Sequence, residues 1–162
     1  MLSPKPPEKS SRYSFCEREM VDQSIAAPPE NRGCFLGGRV WFIDVRLHSD
    51  QRGALLPFDF ADLPFEPKRL FLVTDVPQGV QRGCHGHRSA RQLLACVKGR
   101  VQVELRDRTR RELVTLEPGG QALLLEPNVW AAQTYETPES VLLVLASAPY
   151  DPSDYFHDWR DA

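Results

Sequence analysis

From Gly38 onward the chain falls into short apolar or alternating segments, punctuated by turn residues about every eight to twelve positions. This texture predicts strands over 40–47, 53–58, 68–75, 84–88, 91–97, 100–106, 112–116, 121–125, 129–136 and 140–147. The turns stand out as Asp50–Gly53, Asp75–Gly79, Lys98–Gly99, Glu117–Gly120 and Thr137–Glu139. A 3.6-residue stripe can be sought only over 11–25 and in the tail after Asp151, and no internal repeat is visible. The pattern is that of an all-β fold. Such a chain must close its sheets or pair their edges across a dimer, and a double-sheet jelly roll with a pocket at one open end satisfies that demand.

Residues 1–38 have a different composition, with Pro4, Pro6, Pro7, Pro28 and Pro29 among scattered charges. They read as an N-terminal arm or poorly ordered leader, leaving 39–162 as one domain. The 162 residues suit a single core, and 41% hydrophobic with 26% charged residues is ordinary for a globular chain. Twenty basic against 22 acidic side chains give a net charge of −2, which offers no field for nucleic acid or an anionic membrane. An anionic ligand would therefore have to meet a local group of arginines. Runs such as "ALLLEP" and "VLLVLAS" are too short to span a bilayer and suit buried strands. The start "MLSPKPPEKSSRYS" lacks the apolar centre of a secretory signal, so a cytosolic protein is expected. Cys16, Cys34, Cys84 and Cys96 form no CxxC pair, and neither a zinc ribbon nor disulfides are expected.

Chemistry concentrates in "GVQRGCHGHRSARQLLACVKG". On a strand His85 and His87 share a face, while Cys84, Gly86 and Arg88 turn away. Two imidazoles can then reach one ligand. The spacing Gly79, five residues, His85-x-His87, four residues, Gln92, six residues, Gly99 matches the first signature of the cupins. Metal-binding cupins place a glutamate where this chain has Gln92 and add a later histidine, and "GGQALLLEPNVWAAQ" contains none. Two imidazoles without a carboxylate or third nitrogen fall short of the usual zinc or iron(II) ligand set, so no metal is expected. The remaining readings are rings that only satisfy their sheet neighbours, and acid/base chemistry, for which an imidazole with a pKa of about 6.5 is suited.

Four segments carry a resemblance: "DQRGALLPFDFADLPFEPKRLFLV", "QRGCHGHRSARQLLACVKG", "EPNVW" and "VLLVLASAPYDPSDY". In this order, from about Val40 to Tyr155, the chain resembles the WxcM-like C-terminal domain cupins, which act as 3,4-ketoisomerases on dTDP-4-keto-6-deoxyglucose. The resemblance implies a cupin jelly roll (double-stranded β-helix), a homodimer with exchanged N-terminal strands, and a nucleotide-sugar substrate without cofactor. It implies His85 and His87 as catalytic residues, Arg69 and Arg82 as ligands of the nucleotide-sugar or its diphosphate, and Gln92, Arg52 and Trp130 as further substrate contacts.

Moving a ketone from C4 to C3 requires loss of the C3 proton, an enediol, and protonation at C4, with a second proton passing from O3 to O4. Two proton carriers on one side of the sugar serve both transfers, and an arginine or protonated imidazole can steady the enediolate oxygen. Spacing does not decide which histidine does which. The chain departs from the family pattern at Phe71, where a tyrosine is usual, at Ala131, Ala132 and Gln133 after Trp130, and in "HGHR" for "HAHK". These departures keep two rivals open: a catalytically silent sugar-nucleotide binder, and a sugar-nucleotide epimerase on the same scaffold. The duller expectations are that Tyr135, Cys84 and Cys96 are core or inert and that His48 and His157 are surface. Asp151, Asp154 and Tyr155 are expected only to fix the C-terminal segment.

Overall fold

The structure is a computed structural model describing residues 33–162. Its strands are β1 (Cys34–Phe35), β2 (Val40–Asp44), β3 (His48–Asp50), β4 (Gly53–Leu55), β5 (Arg69–Val73), β6 (Gln81–His87) and β7 (Gln92–Lys98). They continue as β8 (Val101–Arg106), β9 (Arg111–Leu116), β10 (Gln121–Leu125), β11 (Trp130–Tyr135), β12 (Val141–Ala146) and β13 (Tyr155–Phe156). One antiparallel sheet has the order β1-β2-β10-β7-β12-β5, the other β13-β6-β11-β8-β9, and β3 and β4 form a separate hairpin. The two sheets enclose one core, as a jelly roll does.

Burial follows the pleat. In β8, Val101, Val103 and Leu105 are fully buried while Gln102, Glu104 and Arg106 alternate as half-buried positions. In the first sheet both faces are covered. Leu94, Cys96, Leu123, Leu125, Leu142 and Val144 point into the space between the sheets. Their neighbours Leu93, Ala95, Ala122, Leu124 and Leu145 form a second cluster under Trp41, Ile43, Phe58, Leu63 and Phe65. Two-sided burial explains why β10 and β12 are nearly unbroken apolar runs, each leucine contributing about 1.5–3 kcal/mol.

All ten predicted strands coincide with observed ones, and the ends differ where local chemistry intervenes. The segment expected over 53–58 stops at Leu55, where the hairpin ends and Phe58 goes on to pack on the outer face of the first sheet. β6 begins at Gln81, earlier than expected. Three short strands, β1, β3 and β13, are too brief to show a periodicity. β1 pairs with β2 and Leu36 is 2% exposed, so the fold begins ahead of residue 39. The possible helix over 11–25 lies outside the described residues. The tail after Asp151 forms no long helix. It makes single 3-10 turns at Pro152–Asp154 and Trp159–Asp161 around β13. Among the described residues no helix is long and apolar enough to cross a membrane.

Candidate active site

β6 carries the histidines, and its pairing with β11 is irregular. Trp130 stands opposite Gly86 and Ala131 opposite His85, but Ala132 then stands opposite Gly83, so Cys84 is an extra residue. Gly83 and Cys84 both take positive φ, 79° and 57°. Ala131 and Tyr135, 4% and 0% exposed, belong to the cluster between the sheets, so Gln133 between them shares their inward face. Directly paired residues share a face, so His85, opposite Ala131, and Arg82, opposite Gln133, both turn inward. Plain alternation would have put Arg82 on the other side from His85. The bulge corrects the parity.

Across from β6 stands β5, the edge of the first sheet, with Phe71 and Val73 packed on the inner cluster. Arg69 shares their face and is paired with Ala146, which is itself paired with Gln92. The Arg69 guanidinium lies 4.7 Å from the centre of the Phe71 ring and 5.1 Å from that of Tyr150. From there a chain of rings crosses to the histidines. Tyr150 is 5.7 Å from Tyr155, which is 4.4 Å from His87 and 4.6 Å from His85. The two imidazoles are 5.2 Å apart at 80°, and His157 stands 6.3 Å from His85.

Hydrogen bonds settle how the rings are held. His87 is 9% exposed, donates from Nδ1 to Asp154 Oδ2 at 2.9 Å, and has the amide nitrogen of Gln92 3.0 Å from Nε2. An amide nitrogen donates, so Nε2 accepts. Asp154 also accepts from the Ser89 backbone N–H (2.7 Å), the Ser89 hydroxyl (2.6 Å) and the Ala90 backbone N–H (3.3 Å). Burial raises the Asp154 pKa, but the hydrogen bonds from Ser89, His87 and Ala90 outweigh it and hold the carboxyl below its usual range. His85 donates from Nδ1 to the Gly83 carbonyl at 2.9 Å. Burial lowers the pKa of both histidines. It is opposed at His85 by the Gly83 bond and at His87 by Asp154, while the nearby Arg69 charge adds to the lowering at His87. Both rings are thus disposed to be neutral, each with Nε2 as its unprotonated nitrogen.

The structure brings His85, His87, Gln92 and Arg69 together and puts Arg82 on the same inner face. It does not bring all the expected residues there. Trp130 lies on the opposite face of β11 from Ala131, half-buried, with Arg106 6.0 Å from its ring and its Nε1–H donating to the His157 carbonyl at 2.9 Å. It anchors the tail and does not line the hollow, because its register opposite Gly86 turns it outward. Arg52 lies in the β3–β4 turn, bonded to Asp50 at 2.9 Å, and no sheet pairing joins that hairpin to β5 or β6. Asp154 and Tyr155, expected to be purely structural, touch the histidines directly, and His157 is exposed as expected, with its ring 6.3 Å from that of His85. The acidic and aromatic residues of "YDPSDY" were the available signal, but a tail gives no indication of which strand it will meet. Asp151 does what was expected, accepting from Ser153 N–H to cap the turn. Phe71 confirms the missing hydroxyl on β5. Among the described residues no group of three or more His, Cys, Asp or Glu side chains is arranged to hold a metal ion.

Comparisons with known proteins give the relatives of the chain. The chain is 32% identical over 111 residues, 68% of its length and 80% of the relative's, to the TDP-4-oxo-6-deoxy-α-D-glucose-3,4-oxoisomerase of Aneurinibacillus thermoaerophilus. The sugar 3,4-ketoisomerase QdtA of Thermoanaerobacterium thermosaccharolyticum, solved with TDP, superposes with a TM-score of 0.72 at 33% identity, covering 75% of this chain and 89% of that one. NovW, a 4-keto-6-deoxy sugar epimerase of Streptomyces spheroides, shares the fold alone, at a TM-score of 0.65 and 22% identity over 83% of this chain and 76% of that one. Residues 39–161 match the family model described as FdtA, WxcM-like, C-terminal, and the chain belongs to that family.

Proposed function

We propose that this protein is a sugar-nucleotide 3,4-ketoisomerase that moves the ketone of a dTDP-4-keto-6-deoxyhexose from C4 to C3 by histidine acid/base catalysis. The observation that carries this reading is the His85–His87 pair, both Nε2 atoms unprotonated, on the inner wall opposite Arg69. His87 takes the C3 proton on Nε2, and the resulting imidazolium is stabilised by the Asp154 carboxylate behind it. Electrons from the broken C3–H bond form the C3–C4 double bond of the enediol, and charge developing on O4 faces Arg69. His85 carries the O3 proton to O4. The proton on His87 Nε2 exchanges with solvent while the enediol stands, and His87 delivers a proton to C4 as the C3 ketone forms, so both rings end neutral. Gln92, which occupies the lone pair of His87 in the free protein, yields that atom to the substrate and holds it between turnovers.

Arg82 holds the diphosphate, while Arg69, with Tyr150 and Tyr155 as neighbouring ring surfaces, faces the sugar beside the histidines. The proposed proton transfers call on no metal, and the carboxylate beside His87 is already engaged by Ser89, Ala90 and His87. The protein acts in the cytosol as a homodimer built through its N-terminal strands. Leu55 and the outward Leu70 and Leu72 of edge strand β5, each more than half exposed, support an apolar contact there, which light scattering of the full chain tests. The epimerase reading is weaker, because Tyr155 packs on both histidines at 4.4 and 4.6 Å and does not stand across the sugar from them.

Incubating dTDP-4-keto-6-deoxyglucose with the protein in deuterated water tests the reading. A 3-keto product bearing deuterium on a ring carbon is expected, lost in His85→Asn and His87→Asn. Labelling no faster than the uncatalysed background leaves only a binding protein.

A further inference from the structure

One row of directly opposed residues crosses the outer face of the second sheet: Phe156 on β13, Gly86 on β6, Trp130 on β11 and Arg106 on β8. Gly86 has no side chain, and the space a Cβ would take is filled by the Phe156 ring, itself 3% exposed. Beside it the Trp130 Nε1–H donates to the His157 carbonyl at 2.9 Å. The Arg106 guanidinium lies 6.0 Å from the centre of the Trp130 ring and 5.6 Å from that of Trp159, so the same row meets the tail again further along.

Along the tail the side chains alternate. Phe156 turns to this outer face, while Tyr155 and His157 turn toward His85, with ring centres 4.6 and 6.3 Å from its own. The tail is fixed at two points, one on either side of Tyr155. Before it, the Arg88 N–H donates to the Asp154 carbonyl at 2.8 Å and the Ser89 N–H to the Asp154 carboxylate at 2.7 Å. After it, at the end of a strand of two residues, the hold passes to the Phe156 seat and the Trp130 bond.

We propose that Trp130, from the face of β11 turned away from the hollow, is a positioning residue: its bond to the His157 carbonyl fixes the second point and keeps the Tyr155 ring against both imidazoles. Its effect on turnover rests on the ketoisomerase reading above, but its effect on the imidazoles does not.

The direction of the shift separates this role from others. His85 faces the Gly83 carbonyl, His87, His157 and Tyr155, and His87 faces Asp154, Arg69, Gln92 and Tyr155. Loss of the Trp130 bond releases Tyr155 and His157 and leaves Asp154 and Arg69 where they are. Burial then falls at both rings, and the repulsion of His157 on His85 weakens. Each change raises a histidine pKa, whereas loss of Asp154 lowers that of His87.

The experiment is Trp130→Phe in the full chain, which keeps an aromatic ring and removes the N–H. NMR titration of the histidine ring protons is expected to place both His85 and His87 higher than in the wild type, nearer to about 6.5, and the acid limb of kcat/KM is expected to move up with them. Histidines that do not move, or a His87 that moves down as after Asp154→Asn, overturn the proposal. A raised KM with the acid limb in place marks a substrate contact and overturns it too. Should Trp130→Phe not fold, hydrogen exchange of the Trp130 indole in the wild-type chain decides: exchange about fivefold or more slower than that of a free indole is expected, and exchange at the free rate overturns the proposal. If the wild-type protein places no deuterium on the sugar, the ketoisomerase reading falls, while the histidine titration still decides the role of Trp130.

Discussion

Asp154 Oδ2 accepts the Nδ1 proton of His87 at 2.9 Å across a separation of 67 residues, joining the C-terminal segment to the strand that carries the chemistry. Asp154→Asn removes the charge behind the base. A fall in kcat of about tenfold to a hundredfold is expected, the usual cost of losing the outer partner of a functional histidine. Because Asp154 raises the His87 pKa, its loss moves the acid limb of kcat/KM to lower pH, a shift that a loosened fold would not produce. Steady-state kinetics from about pH 5 to 8 check both.

The wild-type acid limb follows from burial. Both histidines must be neutral to accept protons, and both have pKa values lowered from 6.5, chiefly by desolvation. Activity should therefore persist below about pH 6.5 and fall only at the lower, folded-state values. Stability has the same sign. The unfolded chain protonates first, so the contribution of these rings is present above about pH 6.5 and is lost as pH falls through the folded values. Urea midpoints at about pH 7.5 and pH 5.5 measure it, and equal midpoints would contradict the burial argument.

Tyr155 supplies much of that burial, with its ring 4.4 and 4.6 Å from the two imidazoles. Tyr155→Ala opens both rings to water, which raises their pKa values toward about 6.5 and moves the acid limb up. Tyr155→Phe keeps the ring and should leave the limb in place. NMR titration of the histidine ring protons reads each value directly.

Gly86 is where β13 seats on β6. A Cβ there would lie 2.2 Å from the Phe156 ring and 2.5 Å from the Val129 carbonyl. Backbone on one side leaves nowhere to move, so Gly86→Ala must lift the tail. A loss of about 1–3 kcal/mol is expected, together with the Asp154 contact that the tail delivers. Thermal melts and the kcat of the variant should fall together.

Exhaustive dialysis against EDTA should leave kcat unchanged, since the proposed proton transfers use only His85, His87 and their partners. A loss restored by one added divalent ion would replace that mechanism.

The amino-acid sequence by itself determined the all-β architecture, the strand positions and the shared face of His85 and His87, because alternation and turn chemistry act over a few residues. Gln92 was legible for the same reason, through the interval that separates it from the pair. Only the tertiary structure decided the rest. The single extra residue at Cys84 reverses the parity that would have sent Arg82 outward, and nothing in local pattern announces a bulge. Trp130 faces away from the hollow because its register places it opposite Gly86. Asp154 and Tyr155 join the histidines only when the chain end returns to pair with β6, a long-range contact that depends on how the two sheets close and on no short stretch of sequence.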